Sequence, residues 1–199
     1  MANSNVARGL QPVRHRNGAP WAGAATKYYV PASDATALYI GDPVVVVTDA
    51  SDSKGTPTVT KATAGATNYI TGVVIGFITA GDPPVVRSRD AGVHRAASTE
   101  AYVLVADDPD LVFEMQEDSV GGVMTVGAAG RNADFVDGSG SAYTGMSGVS
   151  LDSSTLGTGN TKQLRIIAPV DRPDNDPTLD YAKWLVSINL HTQRNATGI

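Results

Sequence analysis

AYVLVADDPDLVFEMQED, residues 101–118, is the stretch whose reading decides the fold. Residues 102–105 (YVLV) form an apolar run. In the DDPD segment that follows, Pro109 presets φ and the neighbouring aspartates can bond their own backbone, which makes a tight turn. Leu111, Phe113 and Met115 then alternate with Val112, Glu114 and Gln116, the period of a half-buried strand. The spacing predicts a central hairpin, two strands of one buried sheet joined by an acidic turn. A core closed near mid-sequence by such strands is a β core.

Other segments agree with that class. Strands are expected at residues 28–31 (YYVP), 44–47 (VVVV), 56–62 (TPTVTKA), 123–126, 132–137, 164–170 (LRIIAPV) and 184–191 (WLVSINLH). In residues 69–79, YITGVVIGFIT, Gly72 and Gly76 lie four apart in a β-branched run too short to span a bilayer, which predicts a strand carrying a bulge or bend. The GDPVV of residues 41–45 is echoed by GDPPVV at 81–86, one local turn-and-strand solution used twice. Residues 138–161, rich in Gly, Ser and Thr, read as a long surface excursion. Asp176-Pro177 is placed to cap one helical turn over residues 178–182.

Composition bounds the rest. The 199 residues suffice for one sizeable domain, and 42% hydrophobic with 18% charged residues is globular. Cysteine is absent, so neither disulfides nor thiolate metal sites are available to the fold. The formal charge of −5 divides unevenly: residues 1–27 carry Arg8, Arg14, Arg16 and Lys27 with no acid, while the remainder holds 11 basic and 20 acidic residues, a balance of −9. An acidic body repels phosphates, which argues against direct nucleic-acid binding. The basic segment fits an acidic protein surface better. Punctuated by Gly9, Pro12, Gly18, Pro20 and Gly23, it reads as an extended docking arm with Val6, Leu10, Val13 and Trp21 as apolar anchors. No apolar leader opens the sequence, and no run is long enough for a membrane helix.

Residues of catalytic type form no recognisable grouping. His15, His94 and His191 lack metal-ligand spacing, and the GMSG at 145–148 is not a nucleophile elbow. Phosphate-loop and dinucleotide fingerprints are missing. Asp107, Asp108, Asp110, Glu114, Glu117 and Asp118 form an acidic cluster, but it matches no calcium loop, and a chain with 6% aromatics supplies little of the platform a glycosidase needs. These acids read as turn formers and a solvated face. No cofactor, metal or enzymatic activity is expected.

Taken in order, the basic ARGLQPVRHRNG arm, LYIGDPVVVV, YITGVVIGFI, YVLVADDPDLVFEMQED, LDSST, QLRIIAPV and WLVSINLH resemble the auxiliary head proteins of tailed bacteriophages. These are the decoration or cement proteins of the capsid. The resemblance implies an all-β antiparallel barrel or jelly-roll-like sandwich with an extended N-terminal arm and long Gly/Ser-rich loops. It divides the chain into a capsid-docking arm (1–27), one β domain (28–191) and a short tail (192–199). It implies a virion protein made in the host cytoplasm that binds the outer capsid surface and staples neighbouring subunits of the major capsid protein, as a homo-oligomer, trimer ahead of dimer. Arg8, Leu10, Val13, Arg14, Arg16 and Trp21 are then the capsid-contact candidates. The alternative is a head-fibre or tail-associated sandwich that binds carbohydrate or another virion protein, with Trp184 or Tyr143 as its platform.

Overall fold

A computed structural model describes residues 2–79 and 93–194. The echoed turn at 81–86 and residues 195–199 of the tail lie outside the described residues. The chain is all-β, and helix among the described residues is confined to single 3-10 turns at Val126–Ala128, Ser153–Thr155 and Thr192–Arg194.

Five strands close a barrel: β2 (Thr26–Val30), β3 (Pro43–Ser51), β4 (Pro57–Lys61), β5 (Gly72–Thr79) and β6 (Ala101–Ala106), in the order β2-β4-β3-β5-β6. Four of its five seams are antiparallel and one, β2 with β4, is parallel. A five-stranded antiparallel sheet lies beside it, ordered β1-β7-β12-β11-β8, from β1 (Gln11–His15), β7 (Leu111–Gln116), β8 (Asn132–Ala133), β11 (Leu164–Pro169) and β12 (Lys183–Ile188). A small ladder pairs β9 (Phe135–Val136) with β10 (Ser150–Leu151).

Two cores follow from side-chain alternation. Val30, Val44, Val59, Val74, Phe77, Val103 and Val105 fill the barrel. Leu111, Phe113 and Met115 of β7, Leu164 and Ile166 of β11, and Trp184, Val186 and Ile188 of β12 form the second core, which also takes Ala62, Ile70, Val73 and Ala106 from the barrel side. Strand β5 is therefore buried on both faces, with Val73 in one core and Val74 in the other. Its register against β6 shifts between Val74 and Gly76, the bulge that the glycine spacing implied. The extra residue changes the parity of the strand, so that Val74 and Phe77, three apart, both point into the barrel.

The expected central hairpin does not form. Both strands exist within the expected range, but β6 pairs with β2 and β5 in the barrel, whereas β7 pairs with β1 and β12 in the sheet. Each is flanked on both sides by other strands. The DDPD segment is accordingly a corner between layers, closed by Leu111 N–H to the Asp108 carbonyl at 3.1 Å and Asp110 N–H to the Asp108 carboxylate at 2.7 Å. Two further expectations are corrected. Residues 123–126 are not a strand: Val123 and Val126 stay exposed and only Met124 turns inward. Residues 178–182 are turns rather than a helix: the Asp176 carboxylate does take Thr178 N–H at 2.9 Å, as a cap would, but Tyr181 stands at a positive φ of 62°, which a right-handed helix cannot continue through. The excursion at 138–161 is pinned at its middle, where Val149 and Leu151 are fully buried.

Candidate functional site

The basic N-terminal segment is seated on the folded body. Gly9 and Gly41, both at positive φ, press their backbones together, and a Cβ added at Gly9 would meet the Gly41 carbonyl oxygen at 2.2 Å. Leu10 N–H donates to that carbonyl at 3.0 Å, which drives the Leu10 side chain into the core, where it is fully buried. Residues 11–15 then pair with β7 as the sheet's edge strand. The chain folds back on itself, with His15 N–H to Ala19 O at 2.8 Å and Trp21 N–H to Val13 O at 3.2 Å. Trp21 packs half-buried against the second core and donates its indole N–H to Ala24 O at 3.2 Å. The boundary drawn at Lys27 falls inside β2.

The six arm residues thus divide. Leu10 and Trp21 face their own chain's core. Val13 is 41% exposed, and Arg8 lines a cleft with Gln11, Glu114, Arg172 and Lys183. Arg14 and Arg16 come together over the outer face of the sheet. There they meet Arg165 of β11 at a depression of about 380 Å³ whose lining includes Val112, Gly130 and Ile167. Arg16 Nη2 donates to Ser187 Oγ at 2.9 Å, crossing β7 to reach β12, and the Ser187 side chain is buried beneath it. Arg165 was not among the sequence candidates. Its signal was there in the alternation of Leu164 and Ile166 (inward) around an outward Arg165, but what brings it beside Arg14 is strand pairing between distant segments.

The acidic cluster is dispersed by the corner at 107–110. Asp107 accepts from Thr26 Oγ1 and Tyr28 Oη, both at 2.9 Å, and burial, together with the bond to Asp107, holds the Tyr28 phenol protonated well above its usual range. Asp108 faces His15 at 3.1 Å, Asp110 pairs with Arg194, and Glu114 takes both Nη atoms of Arg172 at 2.9 Å. Asp118 accepts from Ser153 N–H at 3.0 Å and from its hydroxyl at 2.8 Å. Each carboxylate serves a different junction, and among the described residues no three His, Asp or Glu side chains gather as a metal site.

Glu117 departs from the solvated face expected of these acids. It is fully buried, Oε2 accepts Met124 N–H at 3.1 Å, and Oε1 has no hydrogen-bond partner among the described residues. Burial pushes its carboxyl up to about 7. His191 is buried too, its Nδ1 accepting Gln193 N–H at 3.1 Å, and desolvation pushes the imidazole down to about 4. Ser147 is buried with its hydroxyl on Asp42 at 2.6 Å, a structural tie between two turns rather than an accessible nucleophile. Trp184 is fully buried and is not a sugar platform, because the alternation of β12 turns it into the core. Tyr143, 94% exposed, is the one platform candidate left at the surface.

What the sheet face can do chemically is bind an anion. Guanidinium groups stay charged through the working pH range and take part in no proton transfer. Comparison of the chain with family models, with curated proteins and with solved structures found no match.

Proposed function

We propose that this chain is a structural virion protein that binds the outer surface of a capsid shell and cements neighbouring major capsid subunits, acting as a homo-oligomer. The observation that carries the reading is the seating of the basic N-terminal segment: Arg14 stands on a strand fixed into a sheet and Arg16 on the turn that follows it, both lining one outward face. The ordered resemblance of the sequence to phage decoration proteins supports the same role.

A surface of this kind binds without much ordering cost, since its backbone is already fixed by the fold. Each exposed ion pair adds only about 0–1 kcal/mol. Useful occupancy therefore comes from exposed apolar contacts such as Val6 and Val13 and from many copies acting on one shell. Binding that favours the assembled shell stabilises it by mass action. The test is the temperature at which expanded capsids release their contents, read with and without saturating protein. The reading expects a rise that saturates with occupancy, and an unchanged release temperature at full occupancy counts against it.

A further inference from the structure

The outer face of the five-stranded sheet holds three arginines that no carboxylate of the described residues neutralises. Arg14 lies opposite Val112, and Arg165 lies opposite Ser187. The β7–β12 register, which sets Val186 against Phe113, carries on to bring Ser187 beside Val112. Arg14 and Arg165 thus end one cross-strand row, three strand spacings or about 14 Å apart. Arg16 fills the middle, its guanidinium held over β12 by Ser187.

Their hydrogen-bonding capacity is mostly unspent. Each guanidinium has five N–H donors. Arg14 gives one to the His15 carbonyl at 3.2 Å and Arg16 one to Ser187, while Arg165 gives none to the described residues. Among the described residues, no acid lies within ion-pair distance of any of the three, although Lys61, Arg95, Lys162, Arg172, Lys183 and Arg194 each have one. On a chain with 20 acidic and 15 basic residues, three cations left together without a counter-charge mark a place where the counter-charge comes from outside.

We propose that this row is a groove for an extended, carboxylate-bearing segment of a partner protein. The guanidinium fork matches a carboxylate in two parallel hydrogen bonds. An extended chain carries side chains of one face about 6.6 Å apart, so roughly four or five residues with acids at alternate positions span the 14 Å row. Ile167, half-buried, supplies aliphatic contact beneath. The balance of −9 outside residues 1–27 disfavours a nucleic-acid backbone, which would run beyond the groove into like charge. Strand addition is closed off as well. The free edge of β1 is covered by residues 19–21, and that of β8 exchanges both backbone hydrogen bonds with Gly157. The partner lies across the face.

The groove deepens the capsid-binding reading by naming the chemistry of the partner surface, and it rests on that reading only for the partner's identity. The test is fluorescence anisotropy of the full chain with a labelled octapeptide of alternating Glu and Ser, at low salt, against an alternating Lys and Ser peptide, with inorganic phosphate and oligo(dT) as competitors. Binding of the Glu peptide alone is expected, weakened at least about tenfold by Arg14→Gln with Arg165→Gln, and unchanged by Lys54→Gln, an exposed cation elsewhere. Unaltered thermal unfolding of the double variant separates lost binding from lost folding, and weakened binding by Arg165→Gln alone, an exposed side chain, repeats the test without touching the edge strand. No binding by the wild type, equal loss in Lys54→Gln, or equal competition by oligo(dT) overturns the groove. Arginine-dependent peptide binding by a protein that leaves capsids unstabilised overturns the virion reading and leaves the groove standing.

Discussion

Glu117 and His191 set opposite pH dependences into the same molecule. Glu117 is raised from 4.5 to about 7 by burial, so the stability that comes from its neutral form is complete below pH 4.5 and is lost as pH rises to about 7. His191 is lowered from 6.5 to about 4, so stability is complete above pH 6.5 and is lost as pH falls to about 4. Each shift corresponds to about 3 kcal/mol, and between pH 4.5 and 6.5 the two slopes cancel. Glu117→Gln removes one of them. Relative to wild type, the variant gains stability as pH rises from 4.5 to 7, up to about 3 kcal/mol, measured by urea unfolding at pH 5 and pH 8. Parallel wild-type and variant profiles would contradict the assignment. Neither residue's environment is legible locally: Glu117 follows Gln116 in a polar run, and segments distant in sequence, at Leu151 and Ala182, come together with the Met124 segment around it.

At the scale of elements, period and β-branched runs located β3, β5, β6, β7, β11 and β12, because inward and outward residues alternate within each strand. Pairing was not legible in the same way. Adjacent strands joined by a Pro-containing turn look like a hairpin, yet β6 and β7 bury their apolar faces in different cores. Residues 123–126 have strand-like composition but expose two of their valines, since the Gly-rich segments around them leave nothing to pair with. The N-terminal segment shows the same limit. Its apolar residues read as anchors for a partner, and two of them anchor β1 to its own body instead. Removing residues 2–27 deletes an edge strand, a buried leucine and the start of a barrel strand, so the truncated chain is expected to lose cooperative thermal unfolding. Leu10→Ala alone should cost about 2–5 kcal/mol, read as a lower urea midpoint at constant slope. A truncated chain with wild-type unfolding would show that the segment is dispensable to the fold.

Over the whole molecule, the uneven charge seen in the sequence becomes a spatial arrangement. Six cations, Lys61, Arg95, Lys162, Arg172, Lys183 and Arg194, are matched to acids, whereas Arg14, Arg16 and Arg165 share one outward face without one among the described residues. The sequence carried two of these three residues in its basic segment, and the third became visible only when β11 took its place in the sheet. Two of the three residues of the candidate site were therefore legible as composition, and the third is a product of topology. A rigid face also changes the expected behaviour of the protein at its target. Affinity should fall with ionic strength as exposed ion pairs are screened, without the folding-on-binding heat signature of a flexible arm. The most direct measurement is co-sedimentation with expanded capsids of the wild type and of Arg14→Glu with Arg165→Glu, each shown beforehand to unfold normally. The account predicts that the wild type pellets with the shells while the variant stays in the supernatant. Equal pelleting of the two proteins, or a wild type left in the supernatant, would contradict it.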